Sequence, residues 1–228
     1  LIVYTSGTTG RPKGAVLTQE NMFWNAVNNV FSIDITSADR ILTVLPLFHI
    51  GGIGLFALPA LLAGGTVVVP NKFDPEQTLH LIEAEKISVM MGVPTIFDAL
   101  RKSKNFSKTD FQSVRWFYSG GAPCPHELIN FYLEAGIPFG QGYGMTETSP
   151  TVFMLLKEDY KMKIGSIGKP ALFVDMRLVN DQGDDTAVNE VGELAFKGPN
   201  VFKGYWNLPN ETQKSFKDGW FYSGDLAK

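Results

Sequence analysis

Short β-rich apolar runs alternate with helix-forming segments through the first 140 or so residues, and this alternation constrains the fold more than any other feature. The predicted strands include Ile41–Leu45, Thr66–Val69, Ile87–Met91 and Val114–Tyr118. The predicted helices run from a Thr18 cap to Val30, over Ile53–Leu62, from Asp74-Pro75 onward, over Pro94–Lys102, and from Pro125 to a stop at Gly136. Strands that alternate with helices favour an α/β fold whose layers are built on a largely parallel sheet.

The run from Ile41 to Pro70 carries no formal charge if His49 is neutral, and it is long enough to suggest a membrane span. Prolines and glycines interrupt it, however, including Pro59 and the pair Gly64-Gly65. We therefore predict a strand, a buried helix, a glycine stop and a second strand instead of a transmembrane segment.

The predicted secondary structure changes after residue 164, from alternating strands and helices to mostly short strands. Short strands are predicted at Val174–Val179, Glu193–Lys197 and Trp220–Tyr222, with only a weak helix near Glu211–Phe216. We predict an α/β core over residues 1–164 and a small β-rich subdomain, resembling a partial barrel, over residues 165–228.

Composition excludes several classes of protein. The 228 residues carry a net charge of −3, and so lack the excess of positive charge that is typical of proteins that bind nucleic acid or an anionic membrane. The single cysteine, Cys124, cannot form an intrachain disulfide, and no signal peptide is recognisable, so we expect a cytoplasmic protein. The first residues, Leu1–Tyr4, read as a buried strand without an initiator Met, and we expect the sequence to be an internal piece of a larger protein.

The loop from Thr5 to Gly14 is the segment richest in chemistry. It combines one lysine, Lys13, with glycines and with four hydroxyl side chains: Thr5, Ser6, Thr8 and Thr9. It is not a Walker A loop, because Pro12 stands where a Gly is needed and Gly14 follows the lysine where Ser or Thr would bind magnesium. Glycines, hydroxyls and a lysine behind a strand favour a phosphate-binding nest over a merely flexible loop.

The same loop, read as Tyr4-Thr5-Ser6-Gly7-Thr8-Thr9-Gly10-Arg11-Pro12-Lys13-Gly14, resembles the signature of the adenylate-forming superfamily. That superfamily comprises acyl- and aryl-CoA synthetases, peptide-synthetase adenylation domains and firefly luciferase. Further motifs occur in the family's order: Leu45-Pro46-Leu47-Phe48-His49, Gly120-Gly121-Ala122-Pro123, Gly142-Tyr143-Gly144-Met145-Thr146-Glu147, Gly192-Glu193-Leu194 with Gly204-Tyr205-Trp206, and Gly219-Trp220-Phe221-Tyr222-Ser223-Gly224-Asp225. The resemblance implies a truncated core of the adenylate-forming fold, without the family's N-terminal part and C-terminal lid domain.

The resemblance also implies the substrates and cofactors: a carboxylic acid, ATP with Mg²⁺, and CoA as co-substrate. By resemblance the catalytic residues are Lys13, Thr146, Glu147 and His49, with Glu147 as the magnesium ligand. The implied nucleotide-binding residues are Thr5, Ser6, Gly7, Thr8, Thr9, Gly10, Lys13, Gly120, Gly121, Ala122, Gly142, Tyr143, Gly144, Met145, Thr146 and Asp225. A carboxylate suits Mg²⁺, which prefers oxygen ligands.

Several of these residues have a second, structural interpretation from sequence alone. Tyr143 offers an aromatic face to adenine but reads equally as a core aromatic. Asp225 suits the ribose hydroxyls but reads equally as a turn residue. His49 stands where amino-acid-activating relatives carry an acid, which disfavours an amino-acid substrate, or it simply caps the following helix. Cys124 reads as a turn residue, since adenylation needs no enzyme nucleophile.

The main functional hypothesis is a fatty-acyl-CoA synthetase, because Ile53, Leu55 and Phe56 make part of the presumed acyl pocket apolar. The alternatives are an aryl-CoA ligase (for succinylbenzoate or coumarate), a luciferase-like oxygenase, a phosphate-loop kinase or NTPase, and a non-catalytic nucleotide-binding module. Without a lid, we expect these 228 residues alone to be inactive in thioester formation.

Overall fold

A computed structural model describes residues 1–5 and 11–228 of the chain. Its strands are β1 (Ile2–Thr5), β2 (Lys13–Val16), β3 (Arg40–Thr43), β4 (Thr66–Val68), β5 (Val89–Gly92), β6 (Trp116–Ser119), β7 (Phe139–Gly144), β8 (Thr151–Met154), β9 (Lys169–Pro170), β10 (Asp175–Val179), β11 (Gly192–Lys197), β12 (Phe216–Lys217) and β13 (Trp220–Ala227). Its helices are α1 (Gln19–Ser32), α2 (Ile50–Gly52), α3 (Leu58–Leu62), α4 (Pro75–Ala84), α5 (Pro94–Arg101), α6 (His126–Glu134) and α7 (Pro209–Ser215). A π-helical turn, Ile53–Ala57, joins α2 to α3, and 3-10 turns occur at Phe106–Lys108 and Thr146–Thr148.

The main sheet has the strand order β4-β3-β5-β6-β7-β8-β9. The first five strands in that order are parallel, and β8 and β9 join antiparallel. The predicted α/β fold with a largely parallel sheet is therefore confirmed. Successive residues of a strand face opposite sides, so Phe117 packs with α4, α5 and α6 while Trp116 and Tyr118 pack on the other face.

The uncharged run folds into β3, a helical segment and β4 in the predicted order, and the helical segment is buried only in part, since Leu61 and Leu62 at its end are exposed. Within the described ranges, no helix is long and apolar enough to cross a membrane. Two predicted helix starts are also confirmed. The Thr18 hydroxyl accepts a hydrogen bond from the Asn21 N–H at 3.0 Å, and the Asp74 carboxylate accepts one from the Gln77 N–H at 2.9 Å.

The prediction that the chain opens in a buried strand is wrong. Within β1, Val3 faces the core, but Ile2 and Tyr4 are exposed, as is Leu1 before them. The strand pairs with β2 in a two-stranded antiparallel hairpin instead of entering the main sheet. The loop predicted to reach Gly14 is shorter than expected, because Lys13 and Gly14 already belong to β2.

The β-rich part is an open four-stranded antiparallel sheet of order β10-β11-β13-β12, which confirms a small β subdomain. Its buried aromatic side chains Phe196 and Phe221 share a hydrophobic cluster with Val3, Met22 and Phe153 from the first part of the chain. Strand β9 belongs to the main sheet. The division at residues 164 and 165 stays a prediction.

Candidate active site

A cavity lies where the carboxyl ends of the parallel strands meet. The segments that follow β3, β5, β6 and β7 supply most of its walls, and its volume is about 660 Å³. Open α/β sheets bind ligands at this edge, because several loops converge there. Its lining includes the following side chains and backbone: Tyr4, Thr5, Leu45, Pro46, Phe48, His49, Ile50, Gly51, Leu55, Met91, Val93, Tyr118, Ser119, Gly120, Gly121, Gly142, Tyr143, Gly144, Met145, Thr146, Glu147, Pro150, Thr151, Phe153 and Met154. We call it the acyl cavity, after the substrate group that the family resemblance predicts for it.

A second cleft, of about 610 Å³, opens towards the β-rich sheet and contains Lys13, Glu193, Tyr205 and Asp225. We call it the nucleotide cleft. Thr5, Met145 and Glu147 line both spaces. Of the sequence-predicted phosphate and magnesium residues that the structure describes, Thr5 and Glu147 therefore lie where the two spaces meet, and Lys13 lies in the nucleotide cleft.

Glu147 is held at this junction by two hydrogen bonds. It lies in the 3-10 turn after β7 and is only 4% exposed. Its Oε1 accepts a hydrogen bond from the Tyr205 hydroxyl at 2.8 Å, and its backbone carbonyl accepts one from the Phe202 N–H at 2.8 Å. Burial, together with the neighbouring negative charge of Glu147, raises the pKa of Tyr205. Tyr205 is therefore a neutral, permanent donor to the carboxylate.

Lys13 lies on the other side of the same tyrosine. Its Nζ is 4.4 Å from the centroid of the Tyr205 ring and 3.8 Å from Oε2 of Glu211. Strand pairing places Lys13 opposite Thr5, which begins the glycine-rich loop. The predicted residues Ser6, Gly7, Thr8, Thr9 and Gly10 lie outside the described residues. Lys13, Tyr205 and Glu147 thus form one connected polar network.

Sequence reasoning missed Tyr205 and Glu211 as site residues. The motif Gly204-Tyr205-Trp206 served only as a landmark of the family. Tyr205 lies 58 residues from the glutamate that it contacts, so no local spacing reveals the pair. Its place in the family motif Gly204-Tyr205-Trp206 was the available signal.

The glycines around the acyl cavity allow close backbone approach. A Cβ at Gly144 would lie 1.8 Å from the Pro150 carbonyl oxygen, and one at Gly120 would lie 2.9 Å from Met91 Cε. Gly121 adopts a left-handed conformation, with φ of +81°. Ala122 is exposed and is not in the cavity lining. Gly120 and Gly121 line the cavity, and a nucleotide contact by Ala122 stays a prediction.

Tyr143 and Asp225, predicted to contact adenine and ribose, are directly joined although 82 residues separate them. The Tyr143 hydroxyl donates to Asp225 Oδ2 at 2.5 Å. Burial, with this hydrogen bond to a carboxylate, raises the pKa of Tyr143. The Tyr143 ring also packs near Phe153 and Phe196, in agreement with the alternative interpretation of Tyr143 as a core aromatic residue. Asp225 is exposed in the nucleotide cleft.

The position of His49 is compatible with both interpretations from the sequence, a helix cap and a residue that faces the substrate. Its Nδ1 accepts a hydrogen bond from the Gly51 N–H at 3.0 Å and caps α2. The exposed imidazole also lines the acyl cavity. By contrast Cys124 is buried, burial raises the pKa of its thiol, and it is not in the lining of either space. A role for His49 towards substrate stays a prediction.

A magnesium ion at this site would depend on Glu147. Among residues 1–5 and 11–228, no group of three or more His, Cys, Asp or Glu side chains is arranged to hold a metal. Mg²⁺ usually takes one or two protein carboxylates and completes its shell with substrate phosphates and water. One buried, oriented carboxylate beside a lysine fits that mode of binding, and it does not fit a dedicated all-protein metal cage.

Comparison with known proteins decides the family. A sequence profile described as "AMP-binding enzyme" matches residues 1–206. The chain belongs to the AMP-binding enzyme family. As a member of that family it spans a little under half the length of the curated relatives it matches.

Three relatives of this AMP-binding enzyme indicate the range of the family. A feruloyl-CoA synthase from Amycolatopsis sp is 45% identical over 227 residues, covering 100% of this chain and 46% of the relative. A long-chain-fatty-acid–CoA ligase from Mycobacterium tuberculosis is 36% identical over 229 residues, covering 100% of this chain and 45% of the relative. The solved structure of o-succinylbenzoate CoA synthetase from Bacillus subtilis, in complex with its acyl-adenylate intermediate, superposes with a TM-score of 0.91 at 37% identity over 99% of this chain and 46% of that one.

Proposed function

We propose that the protein containing this chain activates a carboxylic acid with ATP and transfers the acyl group to CoA. The observation that carries the proposal is the network of Lys13, Tyr205 and Glu147 in the nucleotide cleft, of which Glu147 also lines the acyl cavity. An acid in the acyl cavity and a nucleotide in the cleft would meet at Glu147.

In the first half-reaction, a carboxylate oxygen attacks the α-phosphorus of ATP and the bond to the β-phosphate oxygen breaks. The products are an acyl-adenylate and pyrophosphate. Charge grows on the phosphoryl oxygens and on the departing pyrophosphate, so positioned cations and donors lower the barrier. Lys13 and Thr146 are the candidate groups for this task, and Glu147 is the candidate ligand of Mg²⁺, which would neutralise phosphate charge when bound. In the second half-reaction, the CoA sulfur attacks the acyl carbon and AMP leaves.

The proposed acid is apolar and bulky. The walls that Leu55, Met91, Phe153 and Met154 contribute to the acyl cavity favour such a substrate over a small polar acid. An aromatic acid is the first candidate, because the relative named for feruloyl-CoA is 45% identical, against 36% for the relative named for long-chain fatty acids. A fatty acid, the main hypothesis from sequence, is the second candidate.

The test is ATP–pyrophosphate exchange in the complete natural protein that carries this sequence, with Lys13→Ala and Glu147→Gln as variants. Each variant should lower acid-dependent exchange by at least a hundredfold, as expected when a group that stabilises the transferring phosphate is removed. Lys108→Ala and Glu134→Gln change exposed residues that line neither space and serve as matched controls. Near-normal exchange in both site variants would refute the assignment.

A substrate panel distinguishes the two candidate acids. Ferulate-like acids and saturated fatty acids should be compared by kcat/KM for CoA thioester formation, with AMP and pyrophosphate as the other products. Release of ADP and phosphate instead would indicate a kinase or NTPase. Acid-dependent oxygen consumption without thioester would indicate the luciferase-like alternative.

A further inference from the structure

The buried face of α1 carries an unusual row of asparagines. Asn25, Asn28 and Asn29 are fully buried, and Asn21 is 7% exposed. Buried amides are costly unless their hydrogen bonds are made, so a row of them indicates partners that must be held in place. Two of these side chains make hydrogen bonds to a segment that lines the acyl cavity.

Asn25 and Asn29 both donate to the π-helical turn Ile53–Ala57. The Asn25 amide donates to the Gly54 carbonyl at 2.7 Å. The Asn29 amide donates to the Leu55 carbonyl at 2.8 Å and lies 3.4 Å from that of Gly54. Two successive carbonyls of a helical segment are thus satisfied by side chains from another helix.

Pro59 removes one helical donor that would otherwise serve one of these two carbonyls. In an α-helix the N–H of residue 59 would reach the carbonyl of residue 55, and in a π-helix it would reach that of residue 54. Proline has no N–H, so neither bond forms. The preceding N–H, that of Leu58, is already used on the carbonyl of Ile53. The amides of α1 therefore replace the donor that Pro59 removes.

The turn that these amides hold is a wall of the acyl cavity. Leu55 lines the cavity, next to Ile50 and Gly51. The turn also packs tightly on the segment that follows Glu147, since a Cβ at Gly54 would lie 2.8 Å from the Ser149 carbonyl oxygen. A shift of the turn would consequently move the apolar wall and change the space available to an acyl group.

We propose that Asn25 and Asn29 are positioning residues that set acid specificity, because their amides fix the π-helical turn and with it the Leu55 wall. The inference rests on the proposed function, and it names α1, which does not line the cavity, as a determinant of the acid. Asn25 also accepts a hydrogen bond from the Thr151 N–H at 2.9 Å, which ties the strand after Glu147 to the same wall. Asn29 has no such second tie among the described residues and is the cleaner position to change.

The experiment compares Asn29→Leu with Asn28→Leu in the complete natural protein. Asn28 is equally buried on the same helix but accepts from the Phe173 N–H at 3.0 Å, away from the turn, and it controls for a general loss of stability. Asn29→Leu should raise the KM for the preferred acid about tenfold and change the ratio of kcat/KM between a small and a bulky acid at least fivefold. The KM for ATP should stay within twofold, and Asn28→Leu should leave the acid ratio unchanged.

A rescue variant separates positioning from general damage. Pro59→Ala restores an N–H within the helix, so Asn29→Leu/Pro59→Ala should recover most of the acid KM. If Asn29→Leu does not fold, Asn29→Ser keeps a shorter donor and should shift the acid ratio in the same direction by less. An unchanged acid ratio, an equal effect of Asn28→Leu, or no rescue would overturn the inference.

Hydrogen exchange distinguishes failure of this inference from failure of the proposed function. Amide protection across residues 53–60 should fall in Asn29→Leu and not in Asn28→Leu, whether or not the protein forms acyl-CoA. Loss of protection without any acid-dependent exchange activity in the unmodified protein would refute the function and leave the positioning role standing. Unchanged protection would refute the positioning role itself.

Discussion

Replacing Tyr205 by Phe removes one hydroxyl and leaves the ring beneath Lys13. The hydroxyl donates to the Glu147 carboxylate at 2.8 Å, and the ring centroid lies 4.4 Å from Lys13 Nζ. The substitution therefore isolates the hydrogen bond from the cation–π contact. We expect it to impair the proposed magnesium site through Glu147.

The magnitude follows from the charge and burial of the acceptor. A hydrogen bond to a charged group contributes about 1.5–3 kcal/mol, and Glu147 is 4% exposed. If about 1.5 kcal/mol of that orients the carboxylate, half-maximal pyrophosphate exchange should need about tenfold more Mg²⁺. The KM for the acid should change by less than twofold, since Tyr205 is in the nucleotide cleft and not in the acyl cavity lining.

The assay is a magnesium titration of ATP–pyrophosphate exchange in the complete natural protein. Tyr222→Phe is the matched control, because Tyr222 lines the same cleft and its loss should not move the magnesium dependence. In a double-mutant cycle, Tyr205→Phe should have almost no further effect on Glu147→Gln. An unchanged magnesium dependence, or full additivity in the cycle, would show that the hydroxyl does not act through Glu147.

Three further outcomes are expected. Asp39 is buried, which by itself raises its pKa, but hydrogen bonds from Arg115, Ser88 and the Thr36 N–H lower that pKa to about 2. Its ionised form should therefore stabilise the fold by about 2 kcal/mol above pH 4 and lose that contribution as the pH falls through 2. Asp39→Asn should lower the free energy of unfolding at pH 7, and equal stability of the two proteins there, measured by urea denaturation, would contradict this. Gly144→Ala should abolish pyrophosphate exchange because its Cβ would lie 1.8 Å from a carbonyl oxygen, and wild-type kinetics would disprove that crowding. His49→Asn keeps an acceptor for the Gly51 N–H, so it should retain thermal stability while raising the KM for the acid severalfold; an unchanged KM would reduce His49 to a helix cap.

The parts of the fold that the sequence predicts are those whose causes are local. Thr18 and Asp74 cap helices through contacts three residues away, and the strands at Val89 and Trp116 are apolar because both of their faces are covered. The error at Leu1–Tyr4 has a physical reason. Apolar residues predict burial only where a second layer covers them, and β1 pairs in a separate two-stranded hairpin.

The residues of the candidate site also fall into two groups, those that the sequence predicts and those that depend on contacts between distant parts of the chain. Its motif residues were predictable because they match, in order, the motifs of the family that the chain resembles, and the glycines Gly120, Gly121 and Gly144 line the acyl cavity at or just after the ends of strands. The contact between Tyr205 and Glu147 was not predictable, because hydrophobic periodicity reports local secondary structure and these two polar residues are 58 positions apart in the sequence. The ion pair between Lys13 and Glu211 was not predicted for the same reason, since the two residues are distant in the sequence.

This division also bears on why relatives that are 36% to 45% identical to the chain are named for feruloyl, fatty-acyl and succinylbenzoyl substrates. Groups that meet a phosphate or a metal must carry fixed chemistry at fixed positions, so their residues recur as motifs. Under the proposed function the acid would be selected by the shape of an apolar wall, and the π-helical turn that contributes Leu55 to that wall has carbonyls that accept hydrogen bonds from Asn25 and Asn29. Such a wall moves when a side chain outside the cavity lining changes, with no alteration of any motif. Acid specificity in this family member should therefore follow residues such as Asn29 and Pro59 more closely than it follows the residues that line the nucleotide cleft.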